Sequence, residues 1–550
     1  MATFMRASWG IGLALALIGC GGGNGTQMPG GGSGGGPGGR AGSGVGGGAG
    51  IGGGAGSVAG AVGSGGGGGP AGGGGTTTGG AGGGAGAPGT GGALGGKGGG
   101  VAGAGAAGTG GAAGTAGAGT AGTGMAGMGA GGIAGGGGTA LGGAGGSGCK
   151  ASVSGTVYDP AGTTPLYRAH VYAPSTVLDA VPEGISCTAC GTPESGHPLA
   201  EAVTDISGQF KLEGVPAGSN VPLVIQLGKW RRQIIVPTVA CGDNPLAATL
   251  THLPRNSSEG HLPLIALATG GSSAIECWLR KTGISDGEFT SETGTGRVHL
   301  FAGGDKTAGS GSGATQLASG EAFTDAYASL YASPTKLAHY DMLLLGCEGG
   351  QYPAAKSPYI ANIKAYADGG GRILAEHLQF YWIRSGPAPW PATATWDGAV
   401  DDLPTPVTAI LDTTSVEGMA VDTWTTALGG VTKNQQSGDQ LTVYGAMHSA
   451  TSVTAPTQQW LTVPPQTGTS GTTTSASILL SFATPVEATS GPQCGRVDFT
   501  DMHSDAVPGT GSSDPSRPFP DACKGTAMGA QEHLIEFLFF DTPTCAASTP

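Results

Sequence analysis

The amino-acid sequence predicts a multidomain chain: a Gly-rich disordered tether, then an all-β sandwich, then an α/β domain with a mostly parallel sheet. Three observations carry this expectation. Glycine occupies 70 of the 128 positions between Gly21 and Gly148. From Cys149 onward, short alternating segments are separated by turn residues. From about residue 276, apolar strands alternate with amphipathic helices.

The N-terminus comes first. Arg6 precedes the apolar run Ala7 to Gly19, which is shorter than the roughly 20 residues needed to span a bilayer. A positive residue, a short apolar run and small residues before a cut point read as a secretory signal over 1–19. The ending Leu17-Ile18-Gly19-Cys20 resembles the lipobox of bacterial lipoproteins. That resemblance implies that Cys20 becomes the lipidated N-terminus and anchors the protein in a membrane. Gly21 follows it rather than Asp, which by the same analogy implies the outer membrane, with the periplasmic and cell-surface faces both open.

Residues 20–148 then read as a tether. Backbone entropy opposes order in so glycine-dense a segment, and it has few side chains to bury. Arg40 and Lys97 are its two charged residues. Flexible-chain statistics give it a reach of roughly 60 Å. Glycine follows no three-residue period, which excludes collagen.

The remaining 402 residues suffice for two domains and carry all 36 acidic residues against 20 Lys and Arg. This excess argues against nucleic acid or an anionic membrane surface as a partner. Nine cysteines follow Cys20, and outside the cytoplasm they default to disulfides, with at least one thiol left over. Cys187 and Cys190 have redox or zinc spacing, but they sit in a Pro/Gly-rich loop with no second such pair, and structural disulfides are the expectation. Spacing does not fix the pairing.

Residues 149–270 form the expected sandwich. Val153–Tyr158 alternates and runs into the turn Asp159-Pro160-Ala161-Gly162. Ala169–Tyr172, Ala202–Asp205, Gln209–Leu212, Val221–Leu227 and Gln233–Val236 are further strands. The segments SGTVYDPAGTTPLYRAHVYA and TDISGQFKLEGVPAG resemble the carboxypeptidase regulatory-like, transthyretin-like β-sandwich, interrupted by an insertion from about Pro174 to Leu199. The resemblance implies an accessory module without catalytic residues. The basic cluster Lys229-Trp230-Arg231-Arg232 reads as an exposed strand end.

Residues 271–545 form the expected α/β domain. Arg297–Phe301 is a strand, and a helical stretch follows near Gly320 to Tyr331. Asp341–Leu345 is continuously apolar after its first residue, as a buried parallel strand should be. Tyr359, Ile360, Ile363, Tyr366 and Ala367 mark a helix stopped by Gly369-Gly370-Gly371, and Arg372–Ala375 is the next strand. Leu441–Tyr444, Ile478–Phe482 and Arg496–Thr500 follow as strands, and Gln531–Phe540 closes the domain as a helix. The βα repeats are too few to close an eightfold barrel.

Ligands bind outside the carboxyl ends of such strands. That rule selects Gly303-Gly304, Cys347-Glu348-Gly349-Gly350, Glu376-His377 and Asp501-Met502-His503. His377 and His503, with Glu348 and Asp501, are the candidate catalytic residues, since His titrates near neutrality and a carboxylate orients it. The blocks YDMLLLGCEGG, YADGGGRILAEH and GRVDFTDMH resemble the class I glutamine amidotransferase-like fold, in its trehalose-utilisation (ThuA-like) branch. An amidotransferase would place its nucleophile where His377 stands. Cys347 lies one strand earlier, so glutamine hydrolysis is not expected, and Cys347 reads as half-buried or disulfide-bonded. Asp401-Asp402 reads as a solvated loop, with no calcium-loop spacing after it.

The reading is an envelope-anchored lipoprotein that presents an α/β ligand-binding domain, a non-catalytic binding or scaffolding protein. The alternative is an extracytoplasmic hydrolase or lyase acting on a carbohydrate-like substrate through His377 and His503. A carbohydrate or small polar molecule is the expected ligand, no metal or cofactor is assigned, and oligomeric state is open. If the four candidates line one concave pocket the enzyme gains; if they are scattered or buried in pairs, binding gains. For the anchor, a fatty-acid probe fed to cells should label the wild type and not Cys20→Ser; labelling that survives the substitution contradicts lipidation.

Overall fold

The computed structural model describes residues 149–541, apart from 188–193, 306–310, 437, 469–470, 473, 487–492, 511–512 and 526. The signal segment, Cys20, the tether, Cys190 and Cys545 lie outside the described residues, as do the side chains of 398–401.

The sandwich is built from two sheets. One orders Gln209–Glu213, Ala151–Thr156 and Gly242–Pro245; the other orders Pro198–Val203, His170–Pro174, Gly218–Leu227 and Trp230–Val239. Alternation explains the packing: in Gln209–Glu213, Phe210 and Leu212 are buried and their neighbours exposed. The turn before that strand is closed by Asp205, whose carboxylate accepts the N–H of Ser207 and of Gln209. Gly208 adopts φ +72° there, and a Cβ would strike the Val157 carbonyl, so only glycine fits.

The second layer is an eleven-stranded mixed sheet. Six strands are parallel, in the spatial order Thr324–Asp325, Val298–Ala302, Ile265–Ala268, Met342–Leu345, Arg372–Glu376 and Gly495–Thr500, and off this path the short strand Phe289–Thr290 also pairs parallel with Val298–Ala302. The sheet continues antiparallel through Ala476–Thr484, Gln458–Val463, Val407–Leu411 and Gln440–Val443. Sequence reading places two strands of this extension, Leu441–Tyr444 and Ile478–Phe482, but not Gln458–Val463 or Val407–Leu411; the sheet is mixed, with parallel pairings the more numerous. Met342–Leu345 is buried on every residue, as its apolar run requires.

Ile265–Ala268 lies on the sandwich side of a boundary drawn at residue 270, yet it is a central strand of the large sheet, paired with both Val298–Ala302 and Met342–Leu345. Four residues between Pro263 and Gly270-Gly271 carry no periodicity to announce a strand; parallel partners on both sides recruit them. Of the helical stretch expected near Gly320 to Tyr331, Ala326–Tyr331 is helical and Thr324–Asp325 is a short strand; a second short helix, Pro334–His339, follows, and the side chains of Asp325 and Ser333 cap the two helices.

The helix Ala530–Asp541 joins the two layers. Leu534, Ile535 and Phe537 to Phe540 are all buried. Phe539 and Phe540 pack on the sandwich residue Trp230, Phe539 also meets Trp278 edge-on, and Phe537 packs on Tyr167 and Trp424. Among the described residues, three disulfides add covalent ties, Cys149–Cys241, Cys187–Cys494 and Cys277–Cys523. Cys187 therefore pairs across the chain rather than acting in a redox or zinc motif. No helix among the described residues is long and apolar enough to cross a membrane.

Two carboxyls are buried at this joint. Burial pushes Asp159 up to about 7, with the charge of Glu536 adding to it, and pushes Glu536 up to about 8. Both folded values lie above the unfolded ones, so this stability is complete near pH 4 and is lost as pH rises through 7 to 8. His533, whose ring nitrogen lies 2.9 Å from Glu536, is lowered by burial and acts in the opposite sense as pH falls below about 6.5. Replacing the acid isolates its share: between pH 5 and pH 8 the wild type should lose roughly 2–4 kcal/mol more unfolding free energy than Glu536→Gln. Urea titrations of the two proteins at both pH values check this, and parallel profiles would contradict it.

Candidate functional site

Strand order alone picks one region of the sheet edge. The chain leaves Ile265–Ala268 toward Val298–Ala302 and Thr324–Asp325, then returns to the other side of Ile265–Ala268 with Met342–Leu345. Winding direction reverses between these two central strands, and such a switch point leaves a crevice at their carboxyl ends. Met342–Leu345, Arg372–Glu376 and Gly495–Thr500 are consecutive neighbours, and Cys347, His377 and His503 follow their ends.

The structure brings those three side chains together. Cys347 Sγ lies 3.4 Å from His377 Nδ1, and the two imidazole rings are 4.0 Å apart, centre to centre. Cys347 and His377 are buried, while His503 is half-buried. One donor atom from each falls within 4.8 Å of the others, so the trio could hold a metal ion. His377 has φ +55°, in the left-handed region, at the step from strand into the short helix His377–Phe380. A non-glycine residue is held there only when its surroundings over-determine the backbone.

Glu376 fixes those surroundings. Its carboxylate is fully buried and accepts from Ser273 Oγ (2.9 Å), from the Ser504 N–H and from the Cys347 N–H (3.2 Å). One side chain thus ties the loop after Ile265–Ala268, the Cys347 loop and the His503 loop. Burial raises its pKa above the usual carboxylate range, and the His503 charge opposes that shift. Asp505 accepts from Ser273 Oγ and the Ala274 N–H. Gln379 donates to the Gly346 carbonyl at 2.6 Å and accepts from Trp382 Nε1 at 2.8 Å, bracing the Cys347 loop from below.

Two of the four sequence candidates are committed elsewhere. Glu348 accepts from the Gly304 N–H (2.8 Å) and Tyr327 Oη (2.7 Å) and pairs with the buried Lys356 at 3.1 Å. Asp501 accepts from the N–H and Oγ of Ser449 at 2.7 and 2.9 Å, and burial pushes it up to about 7. Both act as buried anchors of neighbouring loops. Cys347 departs from its expected state, being fully buried and outside any described disulfide, because an imidazole rather than a second sulfur meets it. Sequence reading selects Glu376 among the strand ends without giving it a role, and passes over Ser273 and Asp505 as members of the site. The pattern His503-Ser504-Asp505 carried some signal for Asp505; Ser273 carried none. A cleft of about 550 Å³, lined by Thr163, Lys281, Met528 and His533 among others, lies at the joint with the sandwich and includes none of the trio.

No protein-family model matches the chain, and no curated protein matches it. Among solved structures, the chain has 17% identity to a C-terminal interface mutant of a type II cohesin–X-dockerin complex from Acetivibrio cellulolyticus, covering 26% of this chain and 75% of that one, with a TM-score of 0.12. The N-terminal interface mutant of the same complex gives 19% identity, 26% and 77% coverage, and a TM-score of 0.11. Superpositions this poor carry no argument about fold or function.

The Glu348 network makes a direct prediction. Glu348→Ala strands the Lys356 ammonium in the interior, and removing one partner of a buried pair costs about 3–5 kcal/mol. Urea unfolding of the variant should show that loss; a change below about 1 kcal/mol would contradict the anchoring role.

Proposed function

We propose that the chain is an envelope-anchored lipoprotein whose α/β unit binds a small polar ligand at the sheet edge formed by Cys347, His377 and His503. In this reading it acts as a binding or scaffolding protein rather than a catalyst. The observation that carries it is the left-handed backbone of His377, directly after a buried strand, with its ring tilted against that of His503. Strain of this kind clusters where ligands are held. Glu348 and Asp501 are occupied by Tyr327, Lys356 and Ser449, so the acid–base set they would complete is not assembled. Disulfides support an oxidising compartment, in keeping with a lipid anchor at Cys20.

A second reading is an extracytoplasmic enzyme using His377 and His503 as acid and base on a carbohydrate-like substrate. It is favoured by the electrostatic coupling of His503 to the buried carboxylates of Glu376 and Asp501. A thermal-shift screen of the mature chain against sugars and small polar metabolites separates the readings, since a ligand of the native state raises its melting temperature. His377→Ala should abolish that rise while changing the ligand-free melting temperature only slightly. Turnover of the ligand would favour the enzyme, whereas destabilisation with unchanged ligand affinity would reject the site.

A further inference from the structure

We propose that Cys347, His377 and His503 are the protein ligands of a zinc-class divalent metal ion, with a fourth coordination position open toward the half-buried side of His503. This deepens the ligand-binding reading and rests on the same sheet edge. Spacing is the first argument. In a tetrahedral zinc site, with Zn–S about 2.3 Å and Zn–N about 2.0–2.1 Å, a sulfur and a nitrogen ligand sit roughly 3.5 Å apart. Cys347 Sγ and His377 Nδ1 are 3.4 Å apart, and the donor atoms of all three residues fall within 4.8 Å of one another. Bringing all three donors onto one ion requires the widest pair to close by up to about 1.5 Å, which side-chain rotation can supply.

Rigidity is the second argument. Each ligand follows a strand of the parallel sheet, and two of the three are braced from outside the trio: the Cys347 N–H by Glu376, the His503 N–H by the Gly445 carbonyl at 3.2 Å, and the His503 carbonyl by Gln531 at 2.7 Å. A site built this way has its geometry before the ion arrives.

Charge is the third. Carboxylates crowd the region behind the trio: Glu376, Asp501 and Glu276 are fully buried, and Asp505 lies beside Ser273. Glu276 has both carboxyl oxygens buried without a hydrogen-bond partner, and it is electrostatically coupled to Asp505 and Glu376. A buried carboxyl whose oxygens have no hydrogen-bond partner is costly, and a divalent ion on a thiolate and two neutral imidazoles leaves one net positive charge in the same region. Sulfur chemistry agrees. The other described cysteines are paired as disulfides, whereas Cys347 meets a histidine. Metal binding displaces the Cys347 thiol proton to solvent and leaves the thiolate as ligand. Three protein ligands with an open fourth position are the mark of sites that take a water or substrate atom, rather than closed structural ones.

The test uses the mature full chain, stripped with a chelator and titrated with Co2+ as the spectroscopic probe and Zn2+ as competitor. About one Co2+ per chain should bind, with a sulfur-to-cobalt charge-transfer band and intense visible bands of tetrahedral cobalt, both erased by Zn2+. Cys347→Ser should lose the charge-transfer band, and His377→Ala and His503→Ala should each weaken binding at least tenfold, with metal-free circular dichroism unchanged. Absence of stoichiometric uptake by the wild type, or a charge-transfer band that survives in Cys347→Ser, overturns the metal site. The small-molecule screen on the stripped protein distinguishes the two levels. A thermal shift that still depends on His377 without metal leaves the ligand site standing and removes only the ion.

Discussion

The buried carboxylate of Glu376 is the interaction on which the sheet edge depends. It accepts from Ser273, Ser504 and the Cys347 backbone, so three loops that leave neighbouring strands are held to one point. A fully buried carboxylate is tolerable only when its lone pairs are filled, and here they are filled by groups from three distant parts of the sequence. The consequence is local order at a place where chain direction changes abruptly. His377 adopts a left-handed backbone, its ring lies between Cys347 and His503, and the Cys347 sulfur is kept from any other cysteine. The left-handed backbone of His377 and the meeting of its ring with Cys347 and His503 are consequences of that knot.

The rest of the structure makes the edge rigid. The Ala530–Asp541 helix packs between the sandwich and the sheet through Phe537, Phe539 and Phe540, so the two layers share one hydrophobic core. Gln531, on the first turn of that helix, donates to the His503 carbonyl. A module that resembles an accessory domain in sequence is therefore continuous with the site-bearing layer through a single helix.

Much of this fold was legible in the sequence because its strands carry the pattern their environment demands. Met342–Leu345 is uniformly apolar and uniformly buried, and Gln209–Glu213 alternates as a sandwich strand should. Ile265–Ala268 escaped because four apolar residues have no period, and the antiparallel direction of the extension escaped because partners, not composition, set strand direction. The site was half legible. Strand ends named His377 and His503, whose proximity follows from the parallel order. The roles of Glu348 and Glu376 depended on which way each side chain turns. Glu348 turns to Lys356 and Tyr327, and Glu376 turns to the Cys347 loop, a difference of neighbours that residue type does not encode.

X-ray absorption at the zinc edge on the zinc-loaded mature chain tests the central claim most directly. The account predicts one sulfur at about 2.3 Å and two imidazole nitrogens at about 2.0–2.1 Å, with the sulfur shell absent in Cys347→Ser. A shell of oxygens alone, or a sulfur shell unchanged in that variant, would contradict the convergence of Cys347, His377 and His503 on one ion.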